Sequence, residues 1–224
     1  RPEPAHPRPA APPPAGPPAR VRGLLRTACA VDLVPDAVAY LTSRHLWPLP
    51  AGCALRAHAA AEYWHSGEDG TPWRVGLFPA LVAAVYDAAG ALVTAHVTYL
   101  QAGRKLATHT PRKLLSPLAG RAGCAFRMLP AAGGTLGLAE GIETALAAHR
   151  LHGGPVWATL TAGLLAAFAL PPGIERLIIY ADADPAGLKA AWSLRDRVRA
   201  IEMELRTPPP GCKDWADALA ARHG

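Results

Sequence analysis

Arg176-Leu177-Ile178-Ile179-Tyr180-Ala181-Asp182-Ala183-Asp184-Pro185-Ala186-Gly187 is an apolar run that stops at two carboxylates and then restarts at a proline. An unbroken apolar run between turn signals is what a central parallel strand requires, because helices cover both of its faces. Pro185 suits the first turn of a following helix, where its missing N–H has no partner to lose. Asp182 and Asp184 are two apart, so in extended chain their side chains leave on the same side.

Working outward, the same strand–helix rhythm repeats on either side. Strands are expected at Thr135–Ala139, Val156–Leu160, Arg176–Ala181 and Glu202–Arg206, and helices at Ile142–Leu151, Ala162–Ala169, Pro185–Arg199 and Asp214–Ala221. Four βα units in about ninety residues predict an α/β fold, a parallel sheet with helices on both faces, over residues 134–224. In such sheets ligands collect at the carboxyl ends of the strands. Glu140-Gly141 ends the first strand, Asp182-Ala183-Asp184 ends the third, and Lys213-Asp214, followed by Asp217, opens the last helix. Carboxylates gathered from separate strand ends repel one another unless a cation lies between them. All-oxygen ligation points to Mg2+ or Mn2+ rather than zinc, and magnesium bridges readily to phosphates. Gly141 and Gly187 sit at strand-to-helix turns, where a missing side chain lets a phosphate approach backbone N–H groups.

Upstream the pattern changes. Residues 1–20 hold nine prolines and are expected to be an extended linker, one that would tether a preceding module or a partner. Residues 21–130 read as a smaller α+β lobe. It has a helix over Pro35–His45, a hairpin of Ala80–Asp87 and Ala91–Leu100 turning at Ala88-Ala89-Gly90, and a strand at Cys124–Leu129. A further strand is bracketed by His58 and His65, two histidines with no third or fourth ligand nearby. The basic residues Arg104, Lys105, Arg112 and Lys113 follow the hairpin and are candidates for gripping nucleotide or template phosphates. Residues 1–133 carry 14 Lys and Arg against 7 Asp and Glu, whereas residues 134–224 carry 9 against 10. A basic half joined to a half with clustered carboxylates suits a polyanionic substrate held by one lobe and processed by the other.

The remaining composition mostly excludes. Cys29, Cys53, Cys124 and Cys212 are too far apart in sequence for a Cys-x-x-Cys zinc clip and suggest no disulfide framework, which points to a reducing, cytoplasmic compartment. The N-terminus has no apolar run of the signal-peptide kind, although the chain also lacks an initiator Met and reads as a piece of something longer. The uncharged stretch Gly153 to Ile174 has a dense part too short for a bilayer span, so no membrane association is expected. No Walker-type phosphate loop is present. Trp157 and Trp192 read as core, as does Trp215, although it begins a helix near the acidic residues.

The three segments Gly137-Leu138-Ala139-Glu140-Gly141-Ile142-Glu143-Thr144-Ala145-Leu146, Ile178 to Gly187, and Gly211-Cys212-Lys213-Asp214-Trp215-Ala216-Asp217 together resemble a Toprim domain, in the branch of plasmid- and phage-borne primase-like proteins. More weakly, Leu77-Phe78-Pro79-Ala80 through Gly103-Arg104-Lys105 is similar to the basic N-terminal part of bacterial-type primase cores. The resemblance implies that Glu140 acts as general acid or base and metal neighbour, and that Asp182 and Asp184 hold magnesium. It implies that Asp214 and Asp217, after Lys213, match a further acidic pair, here spaced by one extra residue. Bacterial primases carry an acidic residue four positions after the first glutamate. Thr144 stands there in this chain, with Glu143 one position earlier as the candidate substitute. The implied activity is primer synthesis from nucleoside triphosphates on single-stranded DNA, in a nucleoid or a plasmid or phage replication complex, with a replicative helicase as an implied partner. A Toprim nuclease with the same carboxylates, and a non-catalytic nucleic-acid-binding Toprim protein, are the alternatives. A topoisomerase is disfavoured, because no partner domain with a strand-passing tyrosine fits this length.

Overall fold

The computed structural model describes residues 18–223 apart from Glu68, Pro117 and residues 119–122. The expected proline-rich linker therefore lies, up to Pro17, outside the described residues, and a helix, α1 (Ala19–Thr27), begins at its end. Next come α2 (Pro35–Ser43), the long strands β1 (Arg56–Ser66), β2 (Pro72–Tyr86) and β3 (Leu92–Gln101), and the short strands β4 (Arg104–Lys105), β5 (Arg112–Leu114) and β6 (Ala125–Phe126). The alternating half follows: β7 (Thr135–Ala139), α3 (Ile142–His152), β8 (Val156–Ala158), α4 (Ala162–Ala166), β9 (Arg176–Tyr180), α5 (Pro185–Arg197), β10 (Glu202–Arg206) and α6 (Trp215–Ala220).

The four parallel strands run in the order β10–β9–β7–β8, which puts β7 and β9 side by side with Ala139 level with Tyr180. The expected parallel sheet is present, but it does not stop there. β6 pairs antiparallel with β8 through Phe126 and Ala158, and with β2 through Val85 and Phe126, so both halves share one ten-stranded sheet. They also share a core. Tyr40, Leu41 and Leu46 from the α2 region pack in one buried cluster with Ala145 and Leu146 of α3 and Trp215 and Leu219 of α6. Fully burying a leucine contributes about 1.5–3 kcal/mol, so a seam with several such residues resists hinge opening.

The hairpin between β2 and β3 turns where expected. Gly90 has φ +84°, which a side chain would oppose, and Asp87 accepts the Ala91 N–H at 2.9 Å. Several boundaries differ from the expected ones for local reasons. The strand expected over Cys124–Leu129 keeps only Ala125–Phe126. Arg127 turns out of it to lie over the Trp157 ring at 4.6 Å, and the Leu129 carbonyl accepts the Trp157 indole N–H. The helix expected over Ala162–Ala169 ends at Ala166, a few residues before Pro171-Pro172. The uncharged run Gly153 to Ile174 is thus a short strand plus a short helix. Among the described residues no helix is long and apolar enough to cross a membrane.

Candidate active site

Neighbouring parallel strands lie about 4.8 Å apart, so residues just past the tips of β7 and β9 are forced together. Glu140 follows β7, and Asp182 and Asp184 follow β9. A third element joins them because the Ala183 N–H donates to the Lys213 carbonyl at 2.8 Å, which holds the loop before α6 against the β9 tip. Asp182, Asp184, Lys213 and Asp214 then line a shallow cleft of about 450 Å³ together with Gly211 and Cys212.

The carboxylates feel one another. Burial first, then the charges of Asp214 and Glu140, push the Asp182 carboxyl up to about 6. Burial and Asp184 likewise raise Glu140, opposed by the Arg112 guanidinium reaching from the other lobe and by the Ala162 backbone N–H. Two of the aspartates also shape the backbone. Asp184 caps α5 by accepting the Gly187 N–H at 2.7 Å, and Asp214 caps α6 by accepting the Asp217 N–H at 2.8 Å. Each cap uses one carboxylate oxygen. Asp217 reaches back to accept the Lys213 N–H at 3.3 Å, which ties the first turn of α6 to the residue before its cap and gives Asp217 a structural task. Thr144, in the first turn of α3, donates its hydroxyl to Asp182 Oδ1 at 3.3 Å.

Among the described residues no three His, Cys, Asp or Glu side chains close into a metal cage. The array is open on one side. A shallow cleft of this kind leaves room for waters and phosphate oxygens around any cation that the carboxylates hold in part.

Other expected residues are dispersed. Glu143 does not join Glu140. Its Oε1 takes an ion pair from Lys105 Nζ at 2.7 Å and a hydrogen bond from the Tyr40 hydroxyl, also at 2.7 Å. Burial would raise its carboxyl, but these partners bring it down to about 2. Lys105 is accordingly engaged rather than free for phosphate. Arg112 and Lys113 alternate across the sheet. Arg112 is exposed and acts on Glu140, whereas Lys113 lies over the Tyr63 ring at 4.1 Å and donates to the Trp64 carbonyl. Arg104 is exposed beside Gln101. His58 meets Thr27 and His65 stacks on Trp73, so both serve local contacts. Trp215 and Trp157 are core, as expected, but Trp192 is 48 % exposed because it rides the outer face of α5. Tyr40 carried no sequence signal for the site, since only the fold brings it to a residue 103 positions away.

A parallel sheet with a glutamate at one strand tip and an Asp-x-Asp at the next is the arrangement of a Toprim domain, and residues 135–223 match the Toprim domain family. Residues 15–125 match a domain of unknown function (DUF7146). The whole described chain has the fold of primase catalytic cores. It is similar to the DnaG primase catalytic domain in a complex with single-stranded DNA, at TM-score 0.57 and 16% identity over 92% of this chain and 76% of that one. It resembles the RNA polymerase domain of Mycobacterium tuberculosis primase DnaG, at 0.55 and 17% over 92% and 80%. The E. coli primase catalytic core matches at 0.55 and 15% over 92% and 75%. No curated protein sequence matches the chain. Residues 135–223 are thus a Toprim domain, set in a chain with the fold of primase catalytic cores.

Proposed function

We propose that this chain is a DNA primase-type nucleotidyltransferase that joins nucleoside triphosphates into short primers on single-stranded DNA. The observation that carries the proposal is the convergence of Glu140, Asp182, Asp184 and Asp214 from separate strand ends, with the Arg112 cation set against Glu140 from the opposing lobe. Asp182, Asp184 and Asp214, with Glu140 beside them, would hold magnesium through the carboxylate oxygens their caps leave free. When bound, the ion would offset charge on the reacting phosphates. Glu140, raised by burial and Asp184, is suited to take the proton of the attacking primer hydroxyl as its oxygen bonds the α-phosphorus and the bond to pyrophosphate breaks. Arg112 places a positive charge where a triphosphate spanning the lobes would lie. Arg104, exposed near the same edge, extends the basic surface toward template backbone.

Incubation with single-stranded DNA, ribonucleoside triphosphates, each deoxynucleotide in turn, and magnesium tests the proposal. New short strands that require template and are lost with chelator support it. Shortened DNA would reassign the same carboxylates to a nuclease, and a mobility shift without either product would reduce the chain to a binding protein.

A further inference from the structure

Lys105 and Glu143 look, by sequence, like two functional residues of different kinds: a phosphate-binding cation and an accessory carboxylate. The structure ties them to each other across the lobes at 2.7 Å. From this geometry we infer that the Lys105–Glu143–Tyr40 unit is a positioning strut, which holds the β7–α3 turn and hence Glu140 in register with the other carboxylates. This inference rests on the proposed metal-binding reading of that cluster.

The strut is built rigidly on the side of the basic lobe. Asp36, in the first turn of α2, accepts the Gly103 N–H at 2.9 Å, which pins the β3–β4 turn to that helix. Gly103 has φ +67°, and a Cβ there would sit 2.9 Å from the Ala39 Cβ, so turn and helix are in direct contact. Tyr40, one turn further along α2, lies with its ring 5.9 Å from Lys105 Nζ. Burial and the Glu143 charge push the Tyr40 hydroxyl well up, so it remains a donor. Lys105 and Tyr40 therefore reach Glu143 from a single preassembled surface.

On the other side, Glu143 is three residues from Glu140, with only Gly141 and Ile142 between. Ile142 is buried in the shared core, and Thr144, the next residue, bonds Asp182. Moving Glu143 shifts the first turn of α3 and both site residues attached to it. The Lys105 side chain is 31 % exposed and that of Glu143 13 %, so the pair is substantially shielded from solvent and holds its geometry better than an exposed pair would. A lysine spent in this way is not available to a phosphate, which sets the inference against the reading of Lys105 as a nucleic-acid contact.

The test compares Lys105→Met, Lys105→Arg and the charge-swapped pair K105E/E143K, each checked for a cooperative thermal transition, in three measurements. The first is calorimetric titration with Mn2+ alone. The second is affinity for a single-stranded oligonucleotide across a salt series. The third is primer-synthesis kinetics. A strut predicts weaker Mn2+ binding and kcat lower on the order of tenfold or more in Lys105→Met, because small displacements of a catalytic group are costly. It predicts oligonucleotide affinity and its salt slope unchanged, and substantial recovery in Lys105→Arg and in the swapped pair, to within about threefold, as coupled residues restore one another. Unchanged Mn2+ affinity in Lys105→Met overturns the inference. So does a salt slope reduced by about 1 with no rescue by the swap, which would make Lys105 a phosphate contact. Wild-type protein that binds no Mn2+ would instead defeat the metal-binding reading itself, a separate result.

Discussion

The Thr144 hydroxyl donates to Asp182 Oδ1 at 3.3 Å, so a neutral donor from α3 supports the carboxylate at the tip of the neighbouring strand. A hydrogen bond to an ionised carboxylate lowers its pKa, and here it works against burial and the charges of Asp214 and Glu140, which carry Asp182 up to about 6. Thr144→Val keeps the shape and removes the donor. Asp182 should then titrate higher, and the acid limb of the pH–rate profile should move to higher pH, with about 1 kcal/mol lost in stability. NMR titration of the Asp182 carboxyl together with the rate profile checks this. An acid limb that stays in place would mean that Asp182 is not the group titrating there.

Asp182→Asn should abolish catalysis and yet stabilise the fold at neutral pH. The sign follows from the direction of the shift. An acid whose folded pKa is raised holds its proton more tightly when folded, so its ionisation weakens the folded state progressively from about pH 4 to about pH 6 and fully above that. Asn carries no such penalty. Part of the penalty is screened by solvent, because Asp182 is only partly buried, so a thermal midpoint about 2–4 °C above wild type is expected at pH 8. The difference should nearly vanish below about pH 3, where Asp182 is protonated in both states. Scanning calorimetry at the two pH values decides it.

Magnesium should reverse that order. A cation that binds only the folded protein stabilises by about 1.4 kcal/mol at ten times its dissociation constant. Wild type should gain this stability on addition of Mg2+, and Asp182→Asn should gain much less. Melting curves with and without chelator, in the absence of any nucleotide, give the comparison, and equal gains in both proteins would remove Asp182 from the metal site.

Arg112 and Lys113 are adjacent in sequence and should behave as opposites. Arg112 is exposed and its charge acts on Glu140, so Arg112→Ala should weaken single-stranded DNA or nucleotide binding and lower the salt slope by about 1. It should also raise the pKa of Glu140 further. Lys113 lies over Tyr63 and donates to the Trp64 carbonyl. Lys113→Ala should therefore leave the salt slope alone and cost about 1 kcal/mol in stability, a cation–π contact being of that order. Paired fluorescence-anisotropy titrations over a salt series separate the two.

The parallel half was legible because each of its constraints is local. A strand buried on both faces must be apolar throughout, as Leu177 to Tyr180 is, and its chemistry must sit at its end. The antiparallel half was less legible. β2 begins at Pro72, eight residues before the expected strand, and runs through Gly76 and Pro79, which read as strand breakers, while its alternating Trp73, Val75 and Leu77 are exposed rather than buried. β1 carries register shifts between His58 and Ala61 and between Tyr63 and Trp64, which break the period of two. At the site, the strand-tip carboxylates could be named in advance. What could not be read was how Glu143 divides its attention, because Lys105 and Tyr40 come from 38 and 103 residues away, and no spacing rule spans such distances. The capping tasks of Asp184 and Asp214 did have a signal, an aspartate just before each helix, but a cap and a metal ligand have the same appearance in sequence.

The proposed double duty of Asp184, as cap and as metal ligand, gives Gly187 its importance. A Cβ at this position would lie 3.2 Å from the Asp182 carbonyl, 3.3 Å from Asp184 Oδ1 and 3.4 Å from the Asp182 Cβ. In the first turn of a helix, Gly→Ala ordinarily gains up to about 1 kcal/mol from propensity. Here the gain is offset by crowding against the Asp-x-Asp turn, so overall stability should change little. The turn itself must give by a few tenths of an ångström. Asp184, held by the Gly187 N–H, would move with it, and so would the oxygen that its cap leaves free. Gly187→Ala should therefore weaken Mn2+ affinity and reduce turnover by an order of magnitude or so while the melting curve stays near wild type. Loss of stability without loss of metal affinity would show that the glycine serves packing alone, and that the turn tolerates displacement without consequence for the carboxylates.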